Sequence, residues 1–136
     1  MLVTQRLEFE CCYITNNILN AHRYKVEVSA EVQYELDGHV IFDFSQFKKI
    51  LEAIVPDGTY IYNKADTIDS PAMAVARTLD QAQIPILGYG FQITAESLCN
   101  QIAYDFERAV QCGQLPVVLK EVKLRENAES FVTWSR

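Results

Sequence analysis

Four side chains in this chain of 136 residues have the types and positions to do chemistry on an apolar face: Cys11, Tyr13, His22 and Glu126. His22 opens a run to Leu36 in which one face reads His, Tyr, Val, Val, Ala, Val, Tyr, Leu. The other face reads Arg, Lys, Glu, Ser, Glu, Gln, Glu, so the imidazole shares the side destined for the core. An imidazole at such a place can hold a metal, move a proton near neutral pH, or simply hydrogen-bond within the sheet. Glu126 follows Val122 and Leu124 on one face of a second extended run, where a carboxylate is costly unless something pairs with it. Lys123 or Arg125 beside it, or the donor edge of a ligand, are the available partners. Cys11 and Tyr13 share a face with Val3, Leu7 and Phe9, and Cys12 points the other way. The four cysteines have no metal-binding or redox spacing and read as reduced thiols.

The elements that must hold these residues follow from periodicity. Residues 2–13 alternate as a strand, the polar run ITNNILN interrupts, and residues 22–36 form the longest strand. Fifteen residues at about 3.3 Å each span roughly 50 Å. A monomer of this size is near 37 Å across by the usual scaling, ~14 Å in radius of gyration, so the strand implies an assembly that shares a larger sheet. Asp37-Gly38 marks a turn and 40–42 a short strand. Asp43 with Gln46 has the form of a capping box, opening a helix that buries Phe47, Ile50, Leu51 and Ile54 and stops at Pro56. Residues 59–63 are extended. A second helix begins at Pro71 behind Ser70 and runs to about Gln83. After a strand-like or looped 85–91, a third helix starts behind Thr94 and ends before Gly113. Runs 117–126 and 130–134 close the chain as strands. The order predicts a single α+β domain with an antiparallel sheet. The formal charge of −6 argues against a nucleic-acid partner, and no apolar run is long enough for a membrane. The expectation is a soluble cytoplasmic protein.

Read together, the segments FECCY, NAHRYKVEV, DGHVIFDFSQFK, ITAESL and VKLRE resemble, in order, the motifs of the 6-pyruvoyl-tetrahydropterin synthase family and its queuosine-pathway relative, 6-carboxy-tetrahydropterin synthase. Those motifs are roughly F-x-A-A-H, H-G-H-x-Y, G-M-V-x-D-F, P-T-A-E-N and V-x-V-x-E. The likeness covers most of the chain except 64–92, where an extra helical segment stands. It implies the tunnelling fold (T-fold): a four-stranded antiparallel sheet with helices on one face, closed into a barrel by three subunits, often stacked as a hexamer. It also implies an intersubunit pterin pocket, a zinc on three histidines, and a late glutamate that grips the pterin ring.

The resemblance places Tyr13, Asn20 and His22 where the family has its three zinc ligands. Asn16 stands at its reactive cysteine, and Asp57-Gly58 at its Asp-His pair. One imidazole, a phenol and an amide make a poor zinc set, so no cofactor is expected. Zinc with Cys11 as a replacement thiolate is the disfavoured alternative. Glu126, Thr94 and Glu96 match the ring-binding positions, and Tyr13, His22 and Asp57 are the candidates for any surviving catalysis. Three functions follow as expectations. One is a homotrimer or homohexamer that has lost the zinc-dependent synthase step and binds a pterin- or purine-like ring. Another is an active pterin-processing enzyme with an altered site, either a synthase or lyase or a metal-free aldolase-like enzyme. The last is a structural or regulatory subunit with a vestigial pocket.

Overall fold

The two longest strands form one hairpin. β1 (Leu2–Thr15) and β2 (Ile18–Val32) pair antiparallel along their whole length, from Leu2 opposite Glu31 to Thr15 opposite Ile18. Asn16 and Asn17 join them with φ of 53° and 61°, both in the left-handed region, as a two-residue turn of the type I′ kind demands. The run ITNNILN is therefore the tip of the hairpin, not a break between strands. The long strand has its expected fifteen residues but sits four positions earlier. The computed structural model describes residues 1–33, 35–36, 39–40 and 43–136. Tyr34, the expected Asp37-Gly38 turn and the Ile41–Phe42 end of the expected short strand lie outside the described residues. Around them β3 (Glu35–Leu36) pairs antiparallel with β4 (His39–Val40).

The remaining elements are α1 (Phe44–Ile54), β5 (Thr59–Asn63), α2 (Pro71–Gln81), β6 (Ile86–Tyr89), α3 (Ala95–Cys112), β7 (Val117–Arg125) and β8 (Phe131–Ser135). Caps set the helix starts. Asp43 accepts the Ser45 amide, Ser70 that of Met73, and Thr94 that of Ser97. The capping box expected of Asp43 and Gln46 is not the one formed. The reciprocal box belongs to α3, where the Ser97 hydroxyl returns to the Thr94 amide.

The main sheet runs β6-β5-β1-β2-β7-β8. The four antiparallel strands expected are its β1-β2-β7-β8 part, but the sheet is six-stranded and mixed, because β5 and β6 extend it in parallel beyond β1. The junction is local: Gly58 donates its amide to the Glu10 carbonyl at 2.7 Å, and the Asp57 carboxylate accepts the Glu10 amide at 2.9 Å. Gly58 sits at φ 65°, which favours glycine.

Helices α1 and α3 lie on one face, where Phe47, Leu51, Leu98, Ile102 and Phe106 pack with Phe9, Val26, Val28, Val122 and Leu124. Phe47 and Phe106 meet edge to face, centroids 5.0 Å apart. Helix α2 departs from the one-face expectation. It contacts β5, β1 and β6 on the other side of the sheet, where buried Tyr60 donates its hydroxyl to the Ala72 carbonyl at 2.9 Å. Alternation along β5 explains this: Ile61 points to the core and Tyr60 away from it. No helix of the described residues is long and apolar enough to cross a membrane.

Because Phe106 is fully buried and locks α3 to α1, Phe106→Ala should cost about 3–5 kcal/mol of folding stability. Urea denaturation, read as a lower midpoint at unchanged slope, checks this.

Candidate functional site

The β1-β2 register brings the chemistry of both strands to one place. Cys11 lies opposite His22 and Tyr13 opposite Asn20, with Phe9 opposite Tyr24. Odd positions of β1 and even positions of β2 share the core face, so Tyr13, His22 and Tyr24 stand as neighbours there. Their rings lie nearly parallel: Tyr13 to His22 with centroids 4.6 Å apart, His22 to Tyr24 5.5 Å apart. The Tyr13 and Tyr24 hydroxyls are 2.9 Å apart in the interior. Burial pushes both phenols above their ordinary pKa, and for Tyr24 the bond to Tyr13 adds to the rise, while the same bond lowers Tyr13. Either hydroxyl can donate in this bond, and both phenols stay protonated in it.

β7 supplies the fourth member. It pairs antiparallel with β2, Lys25 opposite Arg125, and Glu126 follows at the strand's end beside the start of β2. The Glu126 carboxylate lies 2.8 Å from His22 Nδ1. Neither Lys123 nor Arg125 is its partner; those side chains lie against the Phe131 ring. A carboxylate on Nδ1 fixes that nitrogen as the protonated one in the neutral ring, leaving Nε2 as the acceptor. Nε2 is buried and has no hydrogen-bond partner among the described residues. An unsatisfied buried acceptor costs about 1–3 kcal/mol. Glu126 itself keeps 44% of its side chain exposed, against 17% for His22.

The other expected residues do not join this cluster. Asp57 is spent on the Glu10 amide at the β1-β5 junction, so its place is structural and not beside an imidazole. Thr94 caps α3. Glu96 lines a separate recess of about 340 Å³ with Cys99, Asn100, Val132 and Thr133. Asn16 forms the hairpin turn. Asn20 is exposed, its amide nitrogen 3.4 Å from the Ile18 carbonyl. Tyr24 is the member that sequence reasoning passed over, although it stands two residues from His22 on the same face.

The donor set does not fit the family's zinc. His22 Nδ1 is engaged by Glu126, the Tyr13 oxygen by Tyr24, and burial keeps the Tyr13 phenol protonated. Burial also pushes the Cys11 thiol up to about 12, the opposite of an activated or metal-ready thiol. Among the described residues no three His, Cys, Asp or Glu side chains are gathered to hold a metal.

The sequence profile of the 6-pyruvoyl tetrahydropterin synthases matches residues 12–136. The chain belongs to that family. Its fold is shared with an uncharacterized protein of Wolinella succinogenes (14% identity, TM-score 0.64, 99% of this chain and 98% of that one). It is shared also with the 6-pyruvoyl tetrahydropterin synthase of Caenorhabditis elegans (12%, 0.63, 100% and 95%) and that of Plasmodium vivax (14%, 0.59, 100% and 98%). At such identities the likeness is one of fold. No curated protein sequence matches this chain.

The buried thiols set a pH dependence for this family member. Folding raises Cys11 from an ordinary 9.0 to about 12 and Cys99 to about 11, so the folded state resists their ionisation. Their contribution is complete below pH 9 and is lost as pH rises through those values. The urea midpoint should therefore fall from about pH 9 upward. At pH 8 the exposed Cys112 should react with a chromogenic disulfide at once, while Cys11 and Cys99 wait for denaturant.

Proposed function

We propose that this chain is a metal-free member of the family that does not run the zinc-dependent synthase step and instead binds a planar pterin- or purine-like ring through Glu126. The observation that carries this reading is the His22–Glu126 pair. In the resemblance His22 is the last of three metal ligands; here its Nδ1 is turned to the carboxylate at 2.8 Å. The imidazole then positions the carboxylate instead of a metal. One Glu126 oxygen accepts the hydrogen bond from the histidine Nδ1–H, and the exposed part of the carboxylate is left for a donor pair on a ring edge. Copies of the chain join as a homotrimer or homohexamer, the ring site lies between subunits, and the protein works in the cytoplasm. In that assembly the α2 segment, within 64–92, is this chain's own addition to the family's sheet.

A second reading has one observation in its favour. Tyr13 is 6% exposed and stacks on His22, so its ring occupies space beside the imidazole that a ligand would need. On that reading the site is closed and the chain is a structural or regulatory subunit.

Two measurements separate these. Protein purified without chelator or added zinc should hold zinc far below one atom per chain; near-stoichiometric zinc overturns the metal-free reading. Titration with a reduced pterin should show saturable binding, weakened about tenfold to a hundredfold by Glu126→Ala, the size of a charge-assisted hydrogen bond. If the native chain binds nothing and Tyr13→Ala gains binding, the closed-site reading stands instead.

A further inference from the structure

On the side of the sheet away from the core, an apolar recess of about 340 Å³ opens between the β1-β2 hairpin, β5 and α2. Its floor is made of small groups on adjoining strands. Cys12 stands opposite Ala21 across the hairpin, and Gly58 leads into β5 beside them. A Cβ at Gly58 would meet nothing within 4 Å, so the space there is open. Leu19 and Tyr60 wall it from the strands, Val75 and Leu79 from α2. Because α2 buries only Ala76, Val75 and Leu79 are left half-covered over this gap.

The polar groups around the recess are already engaged. Tyr60 donates its hydroxyl to the Ala72 carbonyl, Thr59 its hydroxyl to the Asp57 carbonyl, and Gly58 its amide to the Glu10 carbonyl. Among the described residues Glu10 is the one charged member of the lining. Arg23 sets both Nε and Nη2 on Glu10 Oε1, and no donor of the described residues reaches Oε2. The Glu10 side chain is 60% exposed, so Oε2 keeps lone pairs for a further donor at the mouth. An apolar cavity of about 150 Å³ takes one benzene, so this recess has room for roughly two fused rings.

We propose that the recess is a second ligand site, for a bicyclic aromatic amine whose rings lie between α2 and the hairpin and whose ammonium bonds Glu10 Oε2. Burial of the rings supplies the attraction, and the single carboxylate sets the sign of charge accepted. Cys12 and Ala21 alternate with Cys11 and His22 along the two strands, so this site and the His22–Glu126 pair lie on opposite faces of one sheet. It goes beyond the ring-binding reading and does not depend on it.

Equilibrium dialysis of the full chain against naphthylethylamine tests this, with naphthylpropionate as the probe of opposite charge. The amine should bind saturably, one per chain, and roughly tenfold tighter than the propionate. Glu10→Gln should remove that preference. Ala21→Phe puts a large ring at an exposed strand position on the floor, and should weaken the amine about tenfold or more with unchanged circular dichroism. Glu126→Ala should bind the amine as the native chain does. A further readout leaves the recess unaltered: in the chain carrying Cys112→Ser, saturating amine should slow alkylation of Cys12 by N-ethylmaleimide severalfold, followed by peptide mass spectrometry. Absence of saturable binding, equal binding of the two probes, or unslowed alkylation of Cys12 would overturn the proposal. So would amine binding that survives Ala21→Phe and is lost in Glu126→Ala, which would put the amine on the other face.

Discussion

The pairing of β1 with β2, in which Cys11 lies opposite His22 and Tyr13 opposite Asn20, places Tyr13, His22 and Tyr24, and the β2–β7 pairing then brings Glu126 to them. A slip of one residue would turn all of one strand's core side chains to the other face. The turn holds that register, since Asn16 and Asn17 both take positive φ and allow only two residues between the strands. The core holds it again, because Phe9, Tyr24, Val26 and Val28 are each almost wholly buried. The polar cluster thus inherits its geometry from apolar packing a few residues away. That is why it stays ordered although it contains an unsatisfied imidazole nitrogen.

The same pairing sets Tyr13 and His22 side by side on the core face and leaves Asn20, opposite Tyr13, exposed. What distinguishes these residues from a metal-binding set is where each donor's lone pairs and protons go. The Tyr13 and Tyr24 hydroxyls bond each other, and His22 donates its Nδ1–H to the Glu126 carboxylate. Each new bond satisfies a group that a bare metal position would have left exposed to an apolar surround. The Glu126 charge lies close enough to both phenols to push them further from ionisation, so the cluster favours neutral tyrosines beside one carboxylate. Two neutral phenols beside one carboxylate make a weak donor set for a dication.

Local physics wrote much of this into the sequence. Alternation in β2, the serine and threonine caps of α2 and α3, and the apolar stripes of α1 and α3 each state their element within a short window. The misses have a common cause: they depend on contacts distant in the chain or on weak local signals. Asn16-Asn17 lacks the glycine that usually announces a tight hairpin, so the tip read as a break. The parallel addition of β5 to β1 rests on the Asp57 carboxylate and the Gly58 amide meeting Glu10, which no pattern reveals. Helix α2 buries only Ala76, too thin a stripe to say which face of the sheet it covers. Glu126 was recognisable as a carboxylate in need of a partner, but its partner stands 104 residues earlier. The three positions at which the family has its zinc ligands became legible through family resemblance, whereas the bonds that Tyr13 and His22 make with Tyr24 and Glu126 needed the folded structure.

The addition of β5 divides β1 into two stretches with different physical states. From Glu10 to Cys12 its outer edge is closed by Asp57, Gly58 and β5, which fixes the backbone at Cys11. From Leu2 to Glu8 the outer edge is open, and an open edge on a long strand invites another chain. The charges on that stretch restrict which chain. Arg6 and Glu8 alternate there on the polar face, already tied across the sheet to Glu27 and Lys25, and a strand laid alongside must tolerate both signs at a fixed spacing. A flat apolar strand laid there would lie beside those exposed ion pairs and offer them nothing polar in place of water, so the residues that form them keep β1 from indiscriminate pairing.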